Sequence, residues 1–223
     1  RFSYENADAV IFQSEFNKKL TEHWFGKHKN SHVIHNAADE RLISRVTKKY
    51  WYEKLNYPKE VWSCASSWRP HKRLNENIKY FLENAPRDAI LVVAGKGVSI
   101  DDVSLNREKR IIFVGEIDYL SLLSLYKIST HFIHLAYLDH CPNVVVDAQA
   151  AGCKVICSST GGTSEIVHNG TIIIEDEWDY SPIPLYKPPT IDFSKEITAK
   201  QNNATQTIKD CSHKYLKIMQ EIK

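Results

Sequence analysis

The stretch AILVVAGKG, Ala89–Gly97, is a short apolar run that ends in a glycine turn, and RIIFVGEID, Arg110–Asp118, repeats the pattern. An unbroken run of this kind is the sequence of a strand buried on both faces, as in a parallel sheet covered by helices. A glycine turn at its end places the strand terminus where a ligand can approach the backbone. KVIC, Lys154–Cys157, reads as another short buried strand. With 223 residues and 43% hydrophobic content, the chain is long enough to bury one α/β core, a parallel sheet with flanking helices. The first glycine turn lacks the third glycine of a dinucleotide fingerprint, because Ile100 stands at that position, so NAD binding is disfavoured.

The third run lies within LDHCPNVVVDAQAAGCKVICSSTGGTSEIV, Leu138–Val167, which carries carboxylates at Asp139 and Asp147 ahead of it. Pro142 is a good first helical residue, since its fixed φ suits a helix and its missing N–H goes unpaired there at no cost. Val144, Val145, Ala148 and Ala151 give the helix an apolar face, and Gly152 is its expected stop. A helix start offers free N–H groups, here near Asn143 and Val144, and a partial positive charge, which together suit a diphosphate. Asp139 in the loop before the helix and Asp147 about one turn inside it are acceptors for the vicinal hydroxyls of a sugar. The bland alternative is a solvated loop acid and a polar position on an amphipathic helix. These residues alone leave both readings open.

The stretch resembles the donor-binding signature of glycosyltransferase family 4, in which two acids separated by seven residues precede a small-residue helix, a strand and a Gly-Gly-x-x-Glu segment. Here the order is Asp139-x7-Asp147, AQAAG, KVICS and Gly161-Gly162-Thr163-Ser164-Glu165, with Asp where the family usually has Glu. The resemblance runs from about residue 5 to 195. ADAVIFQSEF, Ala7–Phe16, is similar to the last strand and following helix of an N-terminal domain, and VIHNAAD, Val33–Asp39, to the interdomain crossover. SSWRPHKRL resembles the first loop of the nucleotide-binding domain, with Lys72 at the place of the lysine that contacts the donor diphosphate. Ser67 stands where the family has an arginine, and Arg69 or Arg73 is a candidate replacement; for Arg73 an exposed helix start is an equal reading.

The resemblance implies a Rossmann-like domain, the C-terminal half of a GT-B glycosyltransferase. The transferase would be retaining and metal-independent, using a nucleoside-diphosphate sugar as donor and no other cofactor. Lys72 and Asp139 take the catalytic roles; Gly115, Glu116 and Ile117 lie beside the base; Cys141, Pro142, Asn143 and Val144 frame the diphosphate; and Asp147 holds the ribose. Three segments are expected: 1–38, closing an N-terminal domain and crossing over; 39–193, the donor-binding domain; and 194–223, a helical tail. Most of the N-terminal domain, which carries much of the acceptor site, is expected to be missing, leaving the acceptor an unidentified glycan, lipid or small molecule and the isolated chain weak or inactive. A non-catalytic sugar-nucleotide sensor or scaffold is the alternative, and a GT-B epimerase ranks last.

Other classes are constrained by composition. Five cysteines follow no disulfide spacing and no signal peptide precedes them, so a reducing cytoplasm is expected, with Cys153 and Cys157 read as buried structural thiols. CKVIC lacks a zinc pattern, and His131 and His134 point to opposite faces of a strand, so no metal is expected. His23, His28, His32 and His35 lie in a polar region and read as solvated. The formal charge is +6 over the first 80 residues and −4 over the rest, a mild asymmetry that favours an anionic donor or a membrane-surface acceptor. The basic residues are dispersed without a stacking platform, which speaks against nucleic acid. No apolar run reaches transmembrane length. KKYWYEKLNYPKEVW, Lys48–Trp62, reads first as a helix packing on the core and second as a peripheral membrane or partner surface. Asp118 reads as a helix cap, Gly170 as the end of a helix, and the proline-rich Tyr180–Phe193 as an extended connector before a helical stretch from about Ser194 to Lys223.

Overall fold

The computed structural model describes residues 1–98, 108–182, 187–199 and 206–222; Ile100 lies outside them, as do parts of the proline-rich connector and of the final stretch. The strands among the described residues are β1 (Val10–Phe12), β2 (Ser31–Val33), β3 (Glu60–Ala65), β4 (Ala89–Ala94), β5 (Ile111–Gly115), β6 (His131–His134), β7 (Lys154–Ser158), β8 (Gly170–Ile173) and β9 (Glu196–Thr198). The helices are α1 (Phe2–Glu5), α2 (Glu15–Phe25), α3 (Glu40–Arg45), α4 (Lys49–Lys54), α5 (Leu74–Asn84), α6 (Tyr119–Ile128), α7 (Asn143–Ala150), α8 (Thr163–Ile166) and α9 (Ile208–Glu221). β1 and β2 pair in parallel by themselves, while the others form one sheet in the order β5-β4-β3-β6-β7-β8-β9, parallel throughout except for β9.

The apolar runs form these strands because both faces of the sheet are covered. Alternate residues go to opposite cores: Val61, Val92, Phe132 and Val155 pack with Trp51, Leu125 and Val145 on one side. Trp62, Leu91, Ile133 and Ile156 pack with Ile78 and Phe81 on the other. Trp51 of α4 is fully buried and donates from Nε1 to the Ser121 carbonyl at 2.8 Å, so the Lys48–Trp62 region is anchored in the core; Tyr50 and Tyr57 remain exposed. Asp118 caps α6 by accepting from the Ser121 amide at 2.9 Å, as its position in the sequence indicates.

Several local expectations change. Pro142 has extended geometry and is the N-cap of α7, so the first helical residue is Asn143. Gly152, with φ of 104°, does follow the helix end. Gly170 opens β8 and does not close a helix: a Cβ there would lie 1.8 Å from the Val155 carbonyl oxygen, so the closeness of two strand backbones is what requires glycine. The final stretch is not helical from Ser194, because Glu196–Thr198 first pairs antiparallel with β8 at the sheet edge; α9 then starts at Ile208 under a capping box made by Thr207 and Asp210. His28 is buried, its ring nitrogens bonded to the carbonyls of Asn30 and Ala7. Cys64, Cys141, Cys153 and Cys157 are buried free thiols. Among the described residues, no helix is long and apolar enough to cross a membrane.

Candidate functional site

The chain direction across the sheet reverses between β3 and β6: β4 and β5 lie to one side of β3, and β7 and β8 to the other side of β6. Loops leaving the carboxyl ends of the two central strands therefore diverge, and the crevice between them is where open α/β sheets bind ligands. The loop after β3 runs to a 3₁₀ turn, Pro70–Lys72, and the loop after β6 runs to Pro142. They meet where Lys72 Nζ lies 2.5 Å from Asp139 Oδ2. The backbone fixes this meeting, since Tyr137 N donates to the His71 carbonyl at 2.8 Å.

Asp139 has a second partner that the sequence did not indicate. His134, at the end of β6 and almost fully buried, places Nε2 2.9 Å from the same Oδ2. Oδ1 accepts from the His140 amide at 3.0 Å, and its second lone pair has no donor among the described residues. Burial of this carboxyl works to raise its pKa, but the hydrogen bonds and charges of His134 and Lys72 outweigh it and hold Asp139 well below the usual carboxylate range. Asp139 is thus ionised at neutral pH and braced between two donors.

The first helical residue of α7, Asn143, lies four residues beyond Asp139. The amides of Val145 and Val146 turn back to the Pro142 carbonyl, whereas those of Asn143 and Val144 have no hydrogen-bond partner among the described residues. Asn36 of the Val33–Asp39 segment secures this start, with Nδ2 donating to the Cys141 carbonyl at 2.8 Å and to Asn143 Oδ1 at 2.7 Å. Cys141 is buried beneath it, and burial pushes its thiol up to about 11. Cys141 and Pro142 therefore shape the loop, and the exposed polar groups come from Asn143 and the free amides.

Asp147 sits on the second turn of α7 and is nearly buried. Burial pushes its carboxyl up to about 6, against the lowering effect of the Tyr119 hydroxyl, which donates to Oδ2 at 3.1 Å. Tyr119 is the first residue of α6, so this bond draws Asp147 towards the β5–α6 turn of Gly115, Glu116 and Ile117. Gly115 has φ of 69° and open space where a Cβ would be; Glu116 is exposed and pairs with Lys96 at 3.6 Å. The predicted residues thus fall into two connected groups, Lys72 with Asp139 before α7, and Asp147 with the Gly115–Ile117 turn beside it.

Arg73 belongs to neither group. It is 1% exposed, in left-handed geometry with φ of 53°, and its guanidinium meets Glu175 in a two-pronged pair at 2.8 and 2.9 Å, with a further bond to the Pro189 carbonyl at 2.7 Å. Both readings of this residue, donor contact and exposed helix start, are set aside: the guanidinium is committed to holding the segment after β8 on the domain. Arg69 and Ser67 are exposed.

Glu165, the acid of the Gly-Gly-x-x-Glu segment, caps α2 from outside, accepting from the amides of Glu15 and Phe16 at 2.7 Å each. Glycine is required before it because a Cβ on Gly162 would lie 1.9 Å from the His140 carbonyl oxygen and 2.6 Å from Ser14 Oγ. Glu165→Ala is expected to cost about 1–3 kcal/mol, the penalty for orphaning charge-assisted donors. Loss of hydrogen-exchange protection at Glu15 and Phe16, with a lower urea midpoint, is the measurement. A cavity of about 850 Å³ between α7, α8, β9 and α9 contains none of the predicted donor residues, and the strand-end crevice remains the site favoured by their geometry.

The family described as Glycosyl transferases group 1 matches residues 53–180. Among solved structures, Anabaena HepE in complex with UDP and glucose is similar at 21% identity and a TM-score of 0.66, over 78% of this chain and 52% of that one. Sucrose-phosphate synthase from Thermosynechococcus elongatus follows at 22% identity and 0.61, over 79% and 47%. The catalytic domain of starch synthase IV from Arabidopsis thaliana, bound to ADP and acarbose, gives 14% and 0.58, over 75% and 44%. The chain spans about half the length of these structures. No curated protein matches the sequence.

Proposed function

The chain belongs to the group 1 glycosyl transferases, and from that premise we propose that it is the donor-binding half of a retaining, metal-independent transferase of family 4 that uses a nucleoside-diphosphate sugar. The observation that carries this reading is the convergence of Lys72, Asp139 and the free amides of Asn143 and Val144 at the switch point of a parallel sheet. Anabaena HepE, similar in fold, is known in complex with UDP-glucose, which supports a nucleotide-sugar donor here. The acceptor would be held mainly by a second, N-terminal domain.

In this reading the diphosphate lies over the start of α7, and Lys72 turns from Asp139 to a phosphate oxygen. Negative charge accumulates on the leaving diphosphate as the sugar–phosphate bond breaks. A cation and fixed N–H dipoles at that position stabilise the transition state more than the bound donor. Asp139, kept ionised by His134, orients the donor sugar through Oδ1. Asp147 accepts from the ribose hydroxyls, and the Gly115–Ile117 backbone lies beside the base.

Isothermal titration of the chain with UDP, GDP and their common sugar conjugates, with and without EDTA, tests the reading. Saturable, EDTA-insensitive binding is expected; absence of binding to every nucleotide would remove the donor-site assignment. A pH series adds a sharper test. Hydroxyls donate better to an ionised carboxylate, and burial pushes Asp147 up to about 6, so affinity for a nucleoside-diphosphate sugar, whose capped diphosphate does not titrate in this range, should rise from pH 5 to 7. In Asp147→Asn the affinity should be weaker at neutral pH and that rise should vanish. Stability should move oppositely: the folded state holds the Asp147 proton more tightly than the unfolded chain, whose Asp titrates near 3.9. Its contribution is therefore lost as pH rises from about 4 through about 6.

A further inference from the structure

Beside the donor crevice, on the far side of Leu138, two concavities adjoin and share Phe16, Leu138, Trp178 and Tyr180. One, of about 280 Å³, is walled by aromatic rings, with Trp24 and His140 completing it. The other, of about 290 Å³, is lined by polar groups, among them Lys19, Ser164, Asp176 and Glu177. The walls come from α2 and from the segment after β8. The rings form a graded surface: Phe16 and Trp178 have centroids 6.2 Å apart, Trp178 and Tyr180 5.2 Å, and Tyr180 stacks on His23 at 4.9 Å. Tyr180 is held in left-handed geometry with φ of 65°, and Trp178 Nε1 is tied to the Ser181 carbonyl at 2.9 Å, so the platform is fixed.

The polar half contains uncommitted groups. Glu175 is fully engaged with Arg73, Ser158 and Thr160, but the carboxylates of Asp176 and Glu177 and the ammonium of Lys19 have no hydrogen-bond or ion-pair partner among the described residues. A cleft with one aromatic wall and one wall of free carboxylates and a cation matches one class of small molecule closely. Pyranose rings present an apolar C–H face and a rim of hydroxyls that donate to carboxylates and accept from ammonium groups. Each concavity is the size of a single sugar unit or a little more, near the lower limit of ordinary ligand sites.

We propose that this cleft is a saccharide-binding subsite for a neutral oligosaccharide, with one pyranose ring on Trp178 and Tyr180 and the next hydrogen-bonded by Asp176 and Glu177. Leu138 forms its wall and is the residue before Asp139, so a saccharide seated there extends towards the reacting end of the donor. That this saccharide is the acceptor rests on the transferase reading; that the cleft binds it does not.

The test is saturation-transfer NMR with tryptophan fluorescence titration of the 223-residue chain against maltotriose, cellotriose and mannotriose, with farnesol as an apolar comparison. Saturable binding of at least one trisaccharide is expected, weakened about tenfold or more in Trp178→Ala, the scale of losing one aromatic contact. If Trp178→Ala fails to fold, Asp176→Asn with Glu177→Gln, both exposed positions, carries the test and should weaken the same binding. No binding to any trisaccharide, farnesol binding alone, or trisaccharide affinity unchanged in the folded variants would overturn the subsite. UDP titrated in parallel separates the two assignments. UDP bound without saccharide removes only the subsite, and saccharide bound without UDP removes only the donor reading.

Discussion

Lys72→Ala is expected to weaken UDP binding by roughly ten- to a hundredfold, the range of a hydrogen bond to a charged group at about 1.5–3 kcal/mol. The substitution acts twice. It removes the cation offered to the diphosphate, and it leaves Asp139, an anion fixed at 2.5 Å from the vanished ammonium, facing the phosphates without neutralisation. Asp139→Asn removes that repulsion while leaving Lys72 in place, so it should weaken UDP itself much less and affect chiefly the sugar conjugates. Isothermal titration gives the affinities. Thermal unfolding must show both variants folded, as expected for side chains that line a crevice and retain partial exposure. Equal UDP affinity for Lys72→Ala and the unchanged protein would refute the diphosphate assignment.

Arg73→Met should produce the largest loss of stability, about 3–5 kcal/mol, because removing one member of a buried pair strands the other charge. The guanidinium is fully buried, and Glu175 keeps only neutral hydroxyl donors from Ser158 and Thr160 after the change. Lysine should not rescue it, since a single ammonium cannot reproduce the two-pronged contact together with the Pro189 bond. Arg73→Met combined with Glu175→Gln should recover part of the loss, a coupling visible only for residues in direct contact. Urea denaturation reads these differences as midpoint shifts at constant slope. An Arg73→Met variant within 1 kcal/mol of the unchanged protein would contradict a structural role.

Strands β4, β5 and β7 were legible because they are apolar runs, a pattern that follows directly from two-sided burial, whereas β9 at the sheet edge is exposed and carries no such run. Asp118 was legible as a cap because capping is local, involving an amide three residues away. The failures share one cause. His134 reaches Asp139, Tyr119 reaches Asp147, and Arg73 reaches Glu175 across 102 residues, and none of these meetings is implied by spacing. Tertiary pairing likewise decided Arg73, whose sequence context of consecutive basic residues described a surface, and Gly170, whose requirement comes from a neighbouring strand. His28 was misread for the same reason, because its partners are carbonyls brought to it by the fold.

The loops at the carboxyl edge are laced to each other through the main chain: Gly162 N donates to the Asp139 carbonyl at 2.7 Å, Asp139 bridges Gly161, and Gly95 and Gly97 bring their turn against the backbone of Ser66 and Trp68. Because these fastenings use no side chains, they specify where a residue stands without specifying what it is. Substituting Asp for Glu at an acid position, or Ser at the place of an arginine, therefore changes the chemistry offered at a fixed address. Divergence within such a scaffold can proceed one side chain at a time, and the few positions closed to it are the glycines whose Cβ would part the lacing.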